Sequence, residues 1–126
     1  MWIYENPNPM KKRTDDCVIR ALSIILDKSW ETIYDDLCDI GREMYEIPIS
    51  NTVWARYLKE HGFSRKIIPD TCPDNCYAVW QFTYDHPEGE YILGTGSHVI
   101  AVIDGDYYDT WDSGNEVPIY YFQRRQ

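Results

Sequence analysis

Between Thr14 and Leu22 a polar cluster runs straight into an apolar periodic stretch, Thr14-Asp15-Asp16-Cys17-Val18-Ile19-Arg20-Ala21-Leu22. Val18, Ala21, Leu22 and Ile25 follow the i, i+3, i+4, i+7 spacing of a buried helix face, so this stretch reads as a helix packed on a core. Thr14 or Asp15 is placed to cap its free amides, and acids suit the positive end of the helix dipole. Cys17 then falls in the first turn, where exposed amides and the dipole favour a thiolate. A thiolate is half of a nucleophilic site. The other half is a base, and the chain offers one far downstream in Ser97-His98-Val99-Ile100-Ala101-Val102-Ile103.

The remaining composition narrows the field. A length of 126 residues predicts one domain, residues 1–126, and 44% hydrophobic content is enough to build a core rather than a disordered chain. Acids outnumber bases 21 to 12, for a formal charge of -9, which argues against a nucleic-acid partner. The short basic clusters Lys11-Lys12-Arg13 and Arg124-Arg125 read as solvated surface. No window approaches the roughly 18 apolar residues of a membrane span. Met1-Trp2-Ile3-Tyr4-Glu5 lacks the layout of a signal peptide. The expectation is a cytoplasmic protein with no membrane contact.

Along the chain, Asn6-Pro7-Asn8-Pro9 keeps residues 1–13 extended. The first helix is expected from about Asp15 to Leu26. Ser29 caps a second, with Trp30, Ile33, Tyr34 and Leu37 on one face and Gly41 at its end or at a kink. A loop at 45–50 precedes a third helix, capped by Ser50 or Asn51 and patterned by Val53, Trp54, Tyr57 and Leu58. Phe63 to Ile68 suits a short strand. Tyr77 to Tyr84 is open between helix and strand, and the flanking turn clusters favour a short helix. From Glu90 strands follow: 91–93, 98–103, 107–111 and 117–122, with Asp104-Gly105 a strong hairpin signal. Helices first and an antiparallel sheet second predict an α+β fold.

A cysteine opening a helix in the first half, a histidine opening a strand, and a carboxylate closing the next strand resemble the papain-like cysteine peptidase superfamily. Asp16-Cys17 is similar to the Asp-Cys of the compact bacterial double-glycine-leader (bacteriocin-processing) peptidases, and His98-Val99-Ile100-Ala101-Val102 to their histidine strand. Asp112-Ser113-Gly114 stands where that family has its acid. The resemblance implies a papain-like fold, N-terminal helices packed on a C-terminal antiparallel sheet. It also implies a thiol protease or related cysteine hydrolase, of phage or bacterial origin, acting on a peptide, isopeptide or amide bond of a peptide or protein substrate without a cofactor.

The chemistry joins these residue types. A thiolate attacks the carbonyl, an imidazole takes the proton and later protonates the leaving group, and a third polar group fixes the imidazole. The third member depends on the hairpin. With Asp104-Gly105 alone as loop, His98 faces Trp111 and Asp109 shares its face. A three-residue loop shifts the register by one and brings Asp112 there instead. The end of the strand and the resemblance point to Asp112, with Asp109 in reserve.

The family's glutamine before the cysteine is missing, so Asn8 or Asn6 is the candidate oxyanion donor beside the Cys17 amide. Asp15 and Asp16 oppose a thiolate by charge, which Arg13, Arg20 and a protonated His98 would offset. The opposing class is a binding protein that keeps this fold without turnover. Cys72-Pro73-Asp74-Asn75-Cys76 has zinc-like spacing, and Cys38, His61 or His86 would be needed to complete a set. No second paired motif accompanies it, so no metal site is expected; the two are loop thiols, or a disulfide if oxidised. His61 reads as a helix-end residue and His86 as a loop residue. Trp30, Trp54 and Trp80 fit core or groove walls, with core the expectation.

Overall fold

The structure is a computed structural model that describes residues 1–125. Its element order is β1 (Trp2–Tyr4), α1 (Cys17–Leu26), α2 (Trp30–Met44), α3 (Asn51–Glu60), β2 (Phe63–Ile67), α4 (Val79–Asp85), β3 (Glu90–Gly94), β4 (Val99–Ile103), β5 (Asp106–Asp109) and β6 (Tyr120–Arg124). The fold is α+β. One six-stranded sheet runs β1-β5-β4-β3-β6-β2.

Two features differ from the expected layout. The sheet is mixed, because Trp2–Tyr4 adds to its edge parallel to β5. Trp2–Tyr4 is extended because it is paired, and three residues are too few to show a period of two; the rest of the lead-in is not extended throughout, since Asn8 to Lys11 closes a turn with Lys11 left-handed. The helices also divide between faces. α1, α2 and α3 cover one face through Leu22, Ile33, Leu37, Val53 and Leu58, which meet Ile92, Val99, Ala101 and Phe122. α4 covers the other through Val79 and Phe82, which meet Leu93, Ile100 and Val102. Burial on both faces explains why β4 is apolar at every position rather than alternating.

Local chemistry sets the boundaries. Ser29 caps α2, its hydroxyl accepting from the Thr32 amide at 3.1 Å. Gly41 lies inside α2, not at its end. A Cβ there would stand 2.8 Å from the Glu46 carbonyl, so glycine lets the following loop fold back on the helix. Trp54 is core as expected, whereas Trp80 is 52% exposed because α4 buries Val79, Phe82 and Thr83 instead. His61 ends α3 and His86 follows α4, stacked on Phe82. Cys72 and Cys76 are joined as a disulfide. Among the described residues, no helix is long and apolar enough to cross a membrane.

The β4–β5 hairpin turns on two residues, Asp104 and Gly105, both with positive φ (49° and 84°). Two left-handed residues match the twist of the strands they join. Ile103 therefore pairs with Asp106 and Val102 with Tyr107. This register fixes which acid meets His98.

Gly94 pairs with Tyr120 across β3 and β6, and a Cβ on it would stand 2.2 Å from that ring. Tyr120 is itself wedged against Trp54, at 6.1 Å between ring centroids. Gly94→Ala is expected to lower unfolding stability by about 1–3 kcal/mol through overpacking, read as a reduced urea midpoint with an unchanged slope.

Candidate functional site

Cys17 is the first residue of α1, and His98 immediately precedes β4, the strand against which α1 packs. Both line one cavity of about 680 Å³, together with Thr110, Trp111 and Tyr120. Asp16 occupies the N-cap position of α1, but its side chain does not cap the helix, and neither Thr14 nor Asp15 is the capping residue. Its carboxylate instead accepts from the Trp30 indole at 3.0 Å and the Asn8 amide at 3.2 Å, and pairs with Arg20.

His98 Nε2 lies 2.6 Å from Asp109 Oδ2. Nδ1 is thereby the ring nitrogen left for the thiol. Asp109 is 3% exposed and is held on all sides. The Ser113 hydroxyl donates to Oδ2 at 2.7 Å, the Thr110 amide donates to Oδ1 at 2.8 Å, and Arg20 reaches Oδ1 at 3.5 Å. Its backbone carbonyl accepts from the Glu5 amide and the Trp2 indole, both at 3.2 Å, so the edge strand β1 buttresses the same residue. The Trp111 ring lies over His98, 5.2 Å between centroids.

The protonation states follow from these contacts. Burial pushes the Cys17 thiol up, but hydrogen bonding and charge from His98, with the Val99 amide and Arg20 behind them, hold it below its ordinary value. Burial pulls His98 down, and the Asp109 hydrogen bond together with Cys17 outweighs this, raising the imidazole to about 9. Burial raises Asp109, and His98, Ser113 and Thr110 overcome it to hold the carboxyl low. The arrangement favours thiolate with imidazolium over thiol with imidazole.

Three expected site residues lie elsewhere. Asp112 does not meet His98: its carboxylate accepts from the Tyr107 hydroxyl at 2.5 Å and the Gly114 amide at 3.0 Å, closing the turn after β5. The two-residue hairpin loop is the reason, since it gives the histidine's face to Asp109. Asn8 and Asn6 are buried and do not line the cavity. Asn8 Nδ2 is spent on Asp16, while Asn6 Oδ1 and Asn8 Oδ1 accept the Asn8 and Met10 backbone amides, so these side chains build a turn. Neither asparagine therefore presents a side-chain donor to the cavity that holds the thiol.

Sequence reasoning cast Arg20 only as a nearby charge. It is 7% exposed and joins Asp16 on the cysteine's side of the site to Asp109 on the hairpin. The signal was a cation inside an apolar run, Val18-Ile19-Arg20-Ala21-Leu22, four residues after an acid. Trp111 left no such signal.

No protein-family model, curated protein or solved structure matches this chain.

Arg20→Ala leaves two buried carboxylates without their cation and is expected to cost about 3–5 kcal/mol at neutral pH. The deficit should narrow as the pH falls and those carboxylates protonate, which urea titrations at several pH values measure. Asp109→Asn removes the charge that favours imidazolium, so the His98 transition, raised to about 9, should fall toward the ordinary 6.5. Imidazole proton NMR reads this, and Asp112→Asn should leave the transition in place.

Proposed function

We propose that this chain is a papain-like cysteine hydrolase that cleaves a peptide, isopeptide or amide bond by thiol acyl transfer. The observation that carries the reading is a buried carboxylate hydrogen-bonded to an imidazole that shares one cavity with a helix-start cysteine, the thiol depressed and the imidazole raised. An unreactive core cysteine has no use for that alignment. The position of Cys17 at the start of a helix packed on the histidine strand, with α1 to α4 before the β3–β6 run of strands, supports the papain-like assignment.

In this mechanism Cys17 Sγ attacks the carbonyl carbon, and its proton resides on His98 Nδ1. The carbonyl π electrons move to oxygen, which the Cys17 backbone N–H at the open helix end is placed to meet. As the tetrahedral intermediate collapses, the C–N bond breaks and His98 gives its proton to the leaving amine. Water, deprotonated by His98, then attacks the thioester and releases the acid and the thiolate. Asp109 holds the Nε2–H and stabilises the imidazolium throughout.

A second reading, a binding domain with this fold and no turnover, is favoured by one observation: neither Asn6 nor Asn8 lines the cavity, and Asn8 Nδ2 donates to Asp16 instead. The two readings part at the thiol. The rate of iodoacetamide alkylation at Cys17, followed by mass spectrometry, should hold a plateau well below the free-thiol pKa of about 8.5. In His98→Ala the rise should move up toward that value. Hydrolysis should weaken above about 9, where His98 loses the proton it donates. Alkylation that rises only near the free-thiol pKa in the unsubstituted protein would sink the enzyme reading.

A further inference from the structure

The mouth of the Cys17 cavity carries a charge opposite to that of the chain. Lys12, Arg13 and Arg20 line it, and Asp15 is its only acid among the described residues, although acids outnumber bases 21 to 12 overall. Arg20 is neutralised by Asp16 and Asp109. Lys12 and Arg13 are exposed and make no ion pair among the described residues.

Their position is constructed. The Lys11 amide donates to the Asn8 carbonyl at 2.9 Å, and Lys11 Nζ donates to the Asn6 carbonyl at 2.8 Å. Lys11 adopts left-handed backbone, φ 52°, and the Asn6 and Asn8 side chains brace the turn from within. The buried asparagines therefore hold the segment that delivers Lys12 and Arg13 to the cavity. Two adjacent unpaired cations repel one another and the His98 imidazolium, a cost that an entering anion relieves. A concave wall also focuses their field inward.

We propose that Lys12 and Arg13 form an anion subsite of this cavity, which selects peptide substrates bearing a carboxylate beside the bond that Cys17 attacks. The proposal rests on the thiol-hydrolase reading and adds the substrate class to it. A neutral peptide gains nothing from the pair. A polyanion such as nucleic acid meets the acidic remainder of the surface, and a short acidic peptide does not. The carboxylate belongs either to an Asp or Glu side chain or to a chain terminus.

The test uses two alkylating agents of nearly equal size and different charge. At pH 7 and low salt, the ratio of iodoacetate to iodoacetamide rates at Cys17 cancels the nucleophilicity of the thiol and reports the local field. In Lys12→Gln/Arg13→Gln that ratio should fall about fivefold or more, as expected for removing two charges several ångströms away through a water-like medium. Added salt should lower it in the unsubstituted protein. Lys59→Gln/Lys66→Gln, a matched charge loss at residues outside the cavity lining, should leave it unchanged. An unchanged ratio in Lys12→Gln/Arg13→Gln overturns the subsite while leaving the hydrolase reading intact. Slow reaction of Cys17 with both agents, no faster than Cys38, overturns the hydrolase reading and the subsite with it.

Protection of Cys17 from iodoacetamide then separates the carboxylate sources. An acetylated Gly-Glu-Gly amide slows the reaction if a side chain is read, and an acetylated Gly-Gln-Gly free acid does so if a terminus is read. Protection by neither overturns carboxylate recognition.

Discussion

The site hangs on one buried cation. Arg20 leaves α1 one turn after Cys17 and meets Asp16 on one side and Asp109 on the other. Asp109 in turn holds His98. Cysteine and histidine lie 81 residues apart in sequence, and their meeting in one cavity requires that α1 and the β4–β5 hairpin dock in one relative position. Apolar packing of Leu22, Ile25 and Ala101 supplies the adhesion but tolerates sliding. A guanidinium shared between two buried carboxylates does not, because any displacement leaves a charge without its partner. The same network draws Asp16 away from the thiol, which resolves the conflict between an acid beside Cys17 and a thiolate on it.

The hairpin supplies the second constraint. Because Asp104 and Gly105 alone turn the chain, every residue of β5 has a fixed side. One residue more would carry Asp109 off the histidine's face. Around Asp109, β1, Ser113 and Thr110 saturate the remaining carboxylate and carbonyl sites, so a charged group can stay charged at 3% exposure. The residues that turn the chain after β5 thus serve the site as well as the fold.

Much of this was legible in the sequence where periodicity speaks. The α1 and α3 faces, the short α4 and the apolar β4 follow from spacing and turn chemistry. The two elements farthest apart in the proposed chemistry, Cys17 and His98, were named from a helix start and a strand start. What escaped was decided by pairing. Trp2–Tyr4 is a strand only because β5 lies beside it, and a three-residue run has no period to read. Asp109 and Asp112 were distinguished by a turn whose length the letters left open. Asn8 and Asn6 are near Cys17 in sequence only: Asn8 Nδ2 satisfies a buried acid, and the oxygens of both accept backbone amides in a turn. Lys12 and Arg13 are exposed, as solvated surface should be, but nothing in the sequence places a cavity beside them.

Acyl transfer itself is the most direct test of the Cys17–His98–Asp109 site. The protein would be mixed with p-nitrophenyl acetate at neutral pH, with nitrophenol release followed in time and acetyl groups located by mass spectrometry. A cysteine acyl-transfer site gives a burst of about one equivalent with the acetyl group on Cys17, then slower turnover as His98 directs water to the thioester. Acetylation of Cys17 no faster than that of Cys38, with no burst, would contradict it.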